Sequence, residues 1–228
     1  MRHATRIERK RELGPTATLL DVPAESVRTG DDGWENRLAS AVLSRAPERR
    51  PRVVAVEGRS GSGKSTVAAR LVAALDRAGE PSAVLTMEDL YPGWEGLSLA
   101  HRFLREWVLE PIARGAPVAW RRYDWELGRF GEEWTPLPPP LADGAGTLVV
   151  EGCGCGAAPV RPRLDLLVWV AATDAERARR LDRRGDAALY APYRALWARQ
   201  EEEFHAEHRP REHADLVVDN SGTGAPTG

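Results

Sequence analysis

The sequence predicts an α/β fold, an open parallel sheet of five strands covered by helices on both faces. Three observations carry this. Five short apolar runs, at 53–56, 83–86, 147–150, 166–170 and 216–218, are interleaved with segments of helical spacing. The first run is β-branched and enters a glycine-rich loop directly, as a buried parallel strand does. The 228 residues contain only two cysteines, Cys153 and Cys155. The core therefore rests on burial, about 70% of the unfolded surface at this size, and not on a disulfide framework.

The elements follow in order. Residues 1–33 carry charges, Gly30 and Gly33, and no sustained period. They are expected to be a mobile arm with one short element at 17–22. The next segment, 34–44, places Trp34, Leu38, Ala41 and Val42 at helical spacing. Pro47 and Pro51 end it, and the strand at 53–56 follows. A helix is expected over 64–78, with Val67, Leu71, Val72 and Leu75 on one face and Gly79 as its stop. After the strand at 83–86 comes a helix at 99–113, closed by Gly115 and Pro117. The stretch 117–140 holds Trp120, Tyr123, Trp125, Phe130 and Trp134, and reads as a hairpin-like insertion. Strands at 147–150 and 166–170, helices at 174–184 and 189–206, and a last strand at 216–218 complete the pattern. One domain spans 34–220, with an aromatic-rich insertion at about 91–140, and a disordered tail is expected over 221–228.

Charge and hydropathy exclude several classes. A net charge of -2 gives no global attraction to nucleic acid or to a membrane surface. No apolar run approaches the roughly 20 residues of a membrane span, and the basic first ten residues lack the apolar stretch of a signal peptide. A cytoplasmic protein is expected. Cys-x-Cys lacks two further ligands for a metal site, and none of the five histidines has a ligand partner at metal spacing.

Of 32 basic residues only Lys10 and Lys64 are lysine. Lys64 completes Gly58-Arg59-Ser60-Gly61-Ser62-Gly63-Lys64-Ser65, with Thr66 following, between a strand and a helix. This is the pattern of a phosphate-binding loop and predicts a P-loop NTPase fold. The glycines let backbone N–H groups curl around a phosphate, and the following helix points its positive end at the same anion. Lys64 supplies a mobile charge for the β- and γ-phosphates of ATP, and Ser65 a hydroxyl for Mg²⁺. Glu151 ends the strand at 147–150, where open parallel sheets place their ligands, and can hold Mg²⁺ through a water. Glu88 and Asp89 follow the strand at 83–86. A carboxylate there can orient a nucleophilic hydroxyl.

Other phosphate-loop classes fit less well. A guanine-reading Asn-Lys-x-Asp motif needs a second lysine, the transporter signature Leu-Ser-Gly-Gly-Gln is absent, and Glu151 is not part of an Asp-Glu pair.

The remaining residues resemble the uridine kinase-like family of small-molecule kinases. The resemblance covers roughly 52–220 and rests on 58–66, Met87-Glu88-Asp89-Leu90-Tyr91, Arg122-Tyr123-Asp124-Trp125 and 149–152. Residues 172–177 and 213–218 are similar in spacing to the family's lid entry and last strand. In the family an aspartate stands where Glu88 stands here, so the resemblance leaves the general base between Glu88 and Asp89. It implies an acceptor site that includes Tyr91, Tyr123, Asp124 and Trp125. It also implies an arginine lid at about 174–186 whose Arg179, Arg180, Arg183 and Arg184 neutralise the transferring phosphoryl group. The activity implied is ATP-dependent phosphorylation of a hydroxyl on a nucleoside such as uridine or cytidine. A nucleotide, vitamin or sugar acceptor, or a nucleotide-binding regulator or ATPase without a metabolite acceptor, remains the alternative.

Overall fold

The computed structural model describes residues 25–47, 51–185 and 187–222. The element expected at 17–22 and the tail beyond Gly222 lie outside these residues. In chain order the strands and helices are β1 (Glu25–Arg28), α1 (Trp34–Ser44), β2 (Arg52–Glu57), α2 (Lys64–Arg77), β3 (Ser82–Thr86) and α3 (Leu97–Phe103). They continue with α4 (Glu110–Arg114), β4 (Ala119–Asp124), β5 (Arg129–Pro136), α5 (Pro139–Ala142), β6 (Thr147–Glu151) and β7 (Leu166–Ala171). The last are α6 (Asp174–Asp182), α7 (Ala187–Tyr190), α8 (Arg194–His208) and β8 (Leu216–Asp219).

The sheet is parallel, as expected, in the order β1-β8-β7-β2-β6-β3. It has six strands rather than five. The extra strand is β1, inside the segment expected to be a mobile arm. It pairs with β8 from Glu25↔Leu216 to Arg28↔Asp219. One buried apolar residue, Val27, is too little pattern to announce a strand, and the open edge of β8 supplies the pairing.

Alternation along β2 divides the core into two layers. Val54 and Val56 face α1 and α2 together with Val149, Val168 and Val218. Val53 and Ala55 face the other layer, where Leu97, Leu104, Trp120, Trp197 and Phe204 pack. The helix expected at 99–113 is α3 and α4 joined by a π-helical segment, Leu104–Leu109. Pro111, which lacks an N–H, sits in the first turn of α4 just after that wider coil. The helix expected over 189–206 is broken at Pro192 into α7, a 3₁₀ turn at Ala191–Tyr193, and α8. The insertion is an antiparallel hairpin, β4 and β5, with a register shift between Arg121 and Tyr123. Among the described residues no helix is long and apolar enough to cross a membrane.

Candidate active site

The phosphate loop leaves the carboxyl end of β2 and runs into α2. Gly61 and Gly63 adopt φ of 78° and 92°, which favours glycine. At Gly61 a Cβ would also lie 2.6 Å from the Arg177 carbonyl, so α6 packs directly on the loop. Lys64 is buried, and its Nζ donates to the Arg59 carbonyl at 3.1 Å and lies 3.5 Å from Cys153 Sγ. Burial alone would lower the Lys64 pKa. The Cys153 thiol group and the carboxylates of Glu201, Glu151 and Glu57 outweigh it and hold the ammonium charged. Ser65 Oγ donates to Glu151 Oε2 at 3.2 Å. A hydroxyl and a carboxylate converge here, and hard oxygen ligands of this kind fit Mg²⁺. Among the described residues no cluster of three or more His, Cys, Asp or Glu is placed to hold a metal.

Two buried carboxylates hold the loop in shape. Glu57 is fully buried and accepts from Gly58 N at 3.0 Å, Gly154 N at 2.9 Å and Gly156 N at 2.8 Å. Burial pushes its pKa up to about 7, against those three bonds and the charge of Lys64. Glu201, from α8, accepts from Ser60 and from Cys153 Sγ at 3.1 Å. Burial would raise its pKa. Lys64, the Ser60 bonds and the Cys153 bond bring the net shift down, so it is ionised. Both cysteines are free, and burial pushes their thiols well up.

Beside the loop lies a cleft of about 690 Å³. Its lining includes Lys64, Ser65, Thr66 and Glu151 together with Glu88, Tyr91, Trp94, Trp125 and Trp197. A 3₁₀ turn, Met87–Asp89, capped by Thr86 Oγ1, sorts the two acids, because successive residues point about 120° apart. Met87 enters the core and Glu88 lines the cleft. Asp89 turns to the hairpin instead, accepting from Trp120 Nε1 and Arg122 Nε, each at 3.0 Å. Tyr91 lines the cleft and donates its hydroxyl to the Cys153 carbonyl at 2.8 Å. Trp125 lines it too, its Nε1 bonded to the Glu88 carbonyl at 3.3 Å.

Three expected placements are corrected by the structure. Asp89 is the acid that anchors the hairpin, not an acid of the cleft. Tyr123 does not line the cleft; its ring packs behind Trp125 and against Phe130, centroids 5.1 and 5.4 Å away. Asp124 is a turn former, its Oδ1 accepting from Glu126 N and Leu127 N. The alternation of β4 and the tight turn after it decide both positions.

The arginines also divide. Arg184 lines the cleft, 3.7 Å from Glu88 Oε1 and over the Tyr190 ring. Arg180 lines it as well, but its guanidinium donates to the carbonyls of Gly61, Ser62 and Asn220 and to Glu176, bracing the loop. Arg179 does not line the cleft; it is paired with Glu176 on the outer face of α6. Arg183 is exposed and does not line it either. Arg59, within the loop, points outward to Glu202 at 2.9 Å. Glu57, Tyr190, Trp197 and Glu201 are site residues that the sequence pattern missed. Only Glu57, an acid closing a β-branched run just before the loop, left a signal.

Residues 54–203 match the family model described as an AAA domain. Among solved structures, a possible uridine kinase from Bacillus stearothermophilus is similar at 18% identity and a TM-score of 0.61, over 81% of this chain and 97% of that one. A provisionally named fructose transport system kinase from Silicibacter sp. TM1040 is 22% identical with a TM-score of 0.53, over 80% of this chain and 98% of that one. No curated protein matches the sequence. The fold is the P-loop kinase fold that the sequence resemblance implied, and the chain belongs to the AAA domain family.

Proposed function

We propose that this protein is an ATP- and Mg²⁺-dependent kinase that phosphorylates a hydroxyl of a small molecule, most simply a nucleoside such as uridine or cytidine. One observation carries the reading. A phosphate loop, a carboxylate, Glu88, and three tryptophans line one and the same cleft. A hydrolase or regulator needs no such acceptor lining. The two solved relatives named above as kinases agree in fold.

In this reading the loop amides and Lys64 hold the β- and γ-phosphates. Ser65 and Glu151 would hold Mg²⁺, which would supply neutralisation of phosphate charge. Glu88 accepts the proton of the acceptor hydroxyl. The hydroxyl oxygen attacks the γ-phosphorus, the bond to the β,γ-bridging oxygen breaks, and ADP leaves. Arg184 meets the charge that develops on the transferring group. Arg180, engaged with loop carbonyls, is a positioning residue. Trp94, Trp125 and Trp197 line the cleft and supply aromatic surface to a ring.

The test is ATP consumption with and without a panel of nucleosides, sugars and vitamins, with mass detection of the phosphorylated product. Turnover that depends on a ring-bearing acceptor is the expected result. ATP hydrolysis that ignores every acceptor would make the protein an ATPase and overturn the reading.

A further inference from the structure

Two cysteines follow Glu151 at the carboxyl end of β6, and the proposed reaction uses neither. Cys153 lines the cleft and Cys155 does not. The backbone around Cys153 is pinned on both sides. Gly152 N donates to the Val56 carbonyl at 3.2 Å, the Cys153 carbonyl accepts from Tyr91 Oη at 2.8 Å, and Gly154 N donates to Glu57 Oε2 at 2.9 Å. Gly152, with φ of 136°, passes so close to Met87 that a Cβ would lie 2.6 Å from that side chain. The chain therefore delivers the Cys153 sulfur to one place, within reach of both Lys64 and Glu201.

The thiol does two things there. Its S–H is offered to Glu201 Oε1 at 3.1 Å and to the Gly58 carbonyl at 3.3 Å. Its lone pairs accept from Lys64 Nζ at 3.5 Å. The other bond of the ammonium is to the Arg59 carbonyl at 3.1 Å. Both acceptors are uncharged, and sulfur is a weak one.

This is a notable choice of partners for a lysine with carboxylates around it. Glu201, Glu151 and Glu57 are all near enough to act on the charge of Lys64. Among the described residues none of them reaches ion-pair distance from Nζ. An ammonium in direct contact with a buried carboxylate must break a strong, charge-assisted bond before it can turn to a phosphate. A thiol and a carbonyl release it at little cost.

We propose that Cys153 is a positioning residue for Lys64: its sulfur bridges Nζ and Glu201, rests the ammonium on a weak acceptor, and so keeps it available to triphosphate. The inference rests on the kinase reading for the role of Lys64.

Three substitutions separate positioning from packing. Cys153→Ser keeps an acceptor for Nζ and a donor for Glu201. Cys153→Val keeps the volume without either, and Cys153→Ala keeps neither. Calorimetry measures the binding of ATP and of inorganic triphosphate, each with Mg²⁺, to these variants, wild type and Lys64→Ala. Cys153→Val and Cys153→Ala should bind both about tenfold more weakly, the worth of one hydrogen bond to a charged group, and Cys153→Ser should stay within about twofold of wild type. A second readout needs no nucleotide. The chain has only two lysines, Lys10 and Lys64, so NMR of protein labelled at the lysine side chains assigns Lys64 as the signal missing from Lys64→Ala. That signal should move in Cys153→Val and hold its position in Cys153→Ser. Full affinity in Cys153→Val, an unmoved Lys64 signal, or equal losses in Cys153→Val and Cys153→Ser each make the thiol a packing residue and overturn the inference alone. Absence of Lys64-dependent ATP binding overturns the kinase reading and the inference with it.

Discussion

The carboxylate of Glu201 takes both hydrogen bonds that Ser60 offers it, from the backbone N–H at 2.8 Å and from Oγ at 2.5 Å. A residue in the middle of α8 thereby fixes the third residue of the phosphate loop, and does so from a buried position beside Lys64. Removing one partner of a buried charge network leaves the other uncompensated. Glu201→Ala should weaken triphosphate binding by roughly tenfold and destabilise the fold by about 1–3 kcal/mol. Calorimetry and chemical denaturation read the two effects, and a stable variant with unchanged affinity would show that the loop holds its shape without α8.

Lys64→Ala should abolish phosphoryl transfer, by roughly a thousandfold or more, in a protein that remains folded. A compact ammonium on a flexible stem suits this position better than a guanidinium, so Lys64→Arg should fail to restore the rate. Circular dichroism and the acceptor assay together check this. Near-wild-type activity in folded Lys64→Ala would remove the phosphate loop from the mechanism.

Glu88→Gln and Asp89→Asn should separate cleanly. The first should lose turnover by about a hundredfold while ATP affinity stays near wild type. The second should keep turnover and lose about 1–2 kcal/mol of stability, because Asp89 anchors Trp120 and Arg122 of the hairpin. The reverse pattern would make Asp89 the base.

Arg184→Ala should lower the turnover rate by roughly tenfold or more and change ATP affinity little, since its charge faces the cleft. Arg179→Ala and Arg183→Ala should behave like wild type. Steady-state kinetics of the three variants decide it, and equal behaviour of all three would leave the cleft without an arginine that acts on the chemical step.

The pH dependence of stability should carry the mark of Glu57. Its folded pKa of about 7 lies above the ordinary carboxylate value of 4.5. The folded protein therefore holds this proton more tightly, and the stability it contributes is present at low pH and lost as pH rises through about 7. Denaturation at pH 5 and at pH 7.5 should show a decline in wild type that is smaller in Glu57→Gln, by on the order of 1–3 kcal/mol. Parallel slopes in the two proteins would show that Glu57 is ionised throughout.

The sequence by itself determined the parts whose chemistry is local. A β-branched strand, a glycine-rich loop with a lone lysine and a helix are contiguous from 53 to 78, and no distant residue can change what their backbone presents to an anion. The parallel sheet was legible for a similar reason, since alternating apolar runs and helical spacings leave few ways to cover both faces. Tertiary structure alone decided which side chains share the cleft. Glu88 and Asp89 are adjacent acids, separated only by the direction that a 3₁₀ turn gives each. Arg180 and Arg184 differ from Arg179 and Arg183 by which face of α6 and its continuation meets the loop. Glu201 begins a run of three glutamates that reads as a solvated face, and only the packing of α8 buries the first of them against Ser60. Strand β1 joined the sheet because β8 left an edge to pair with, a fact written in the arrangement of strands and not in residues 25–28.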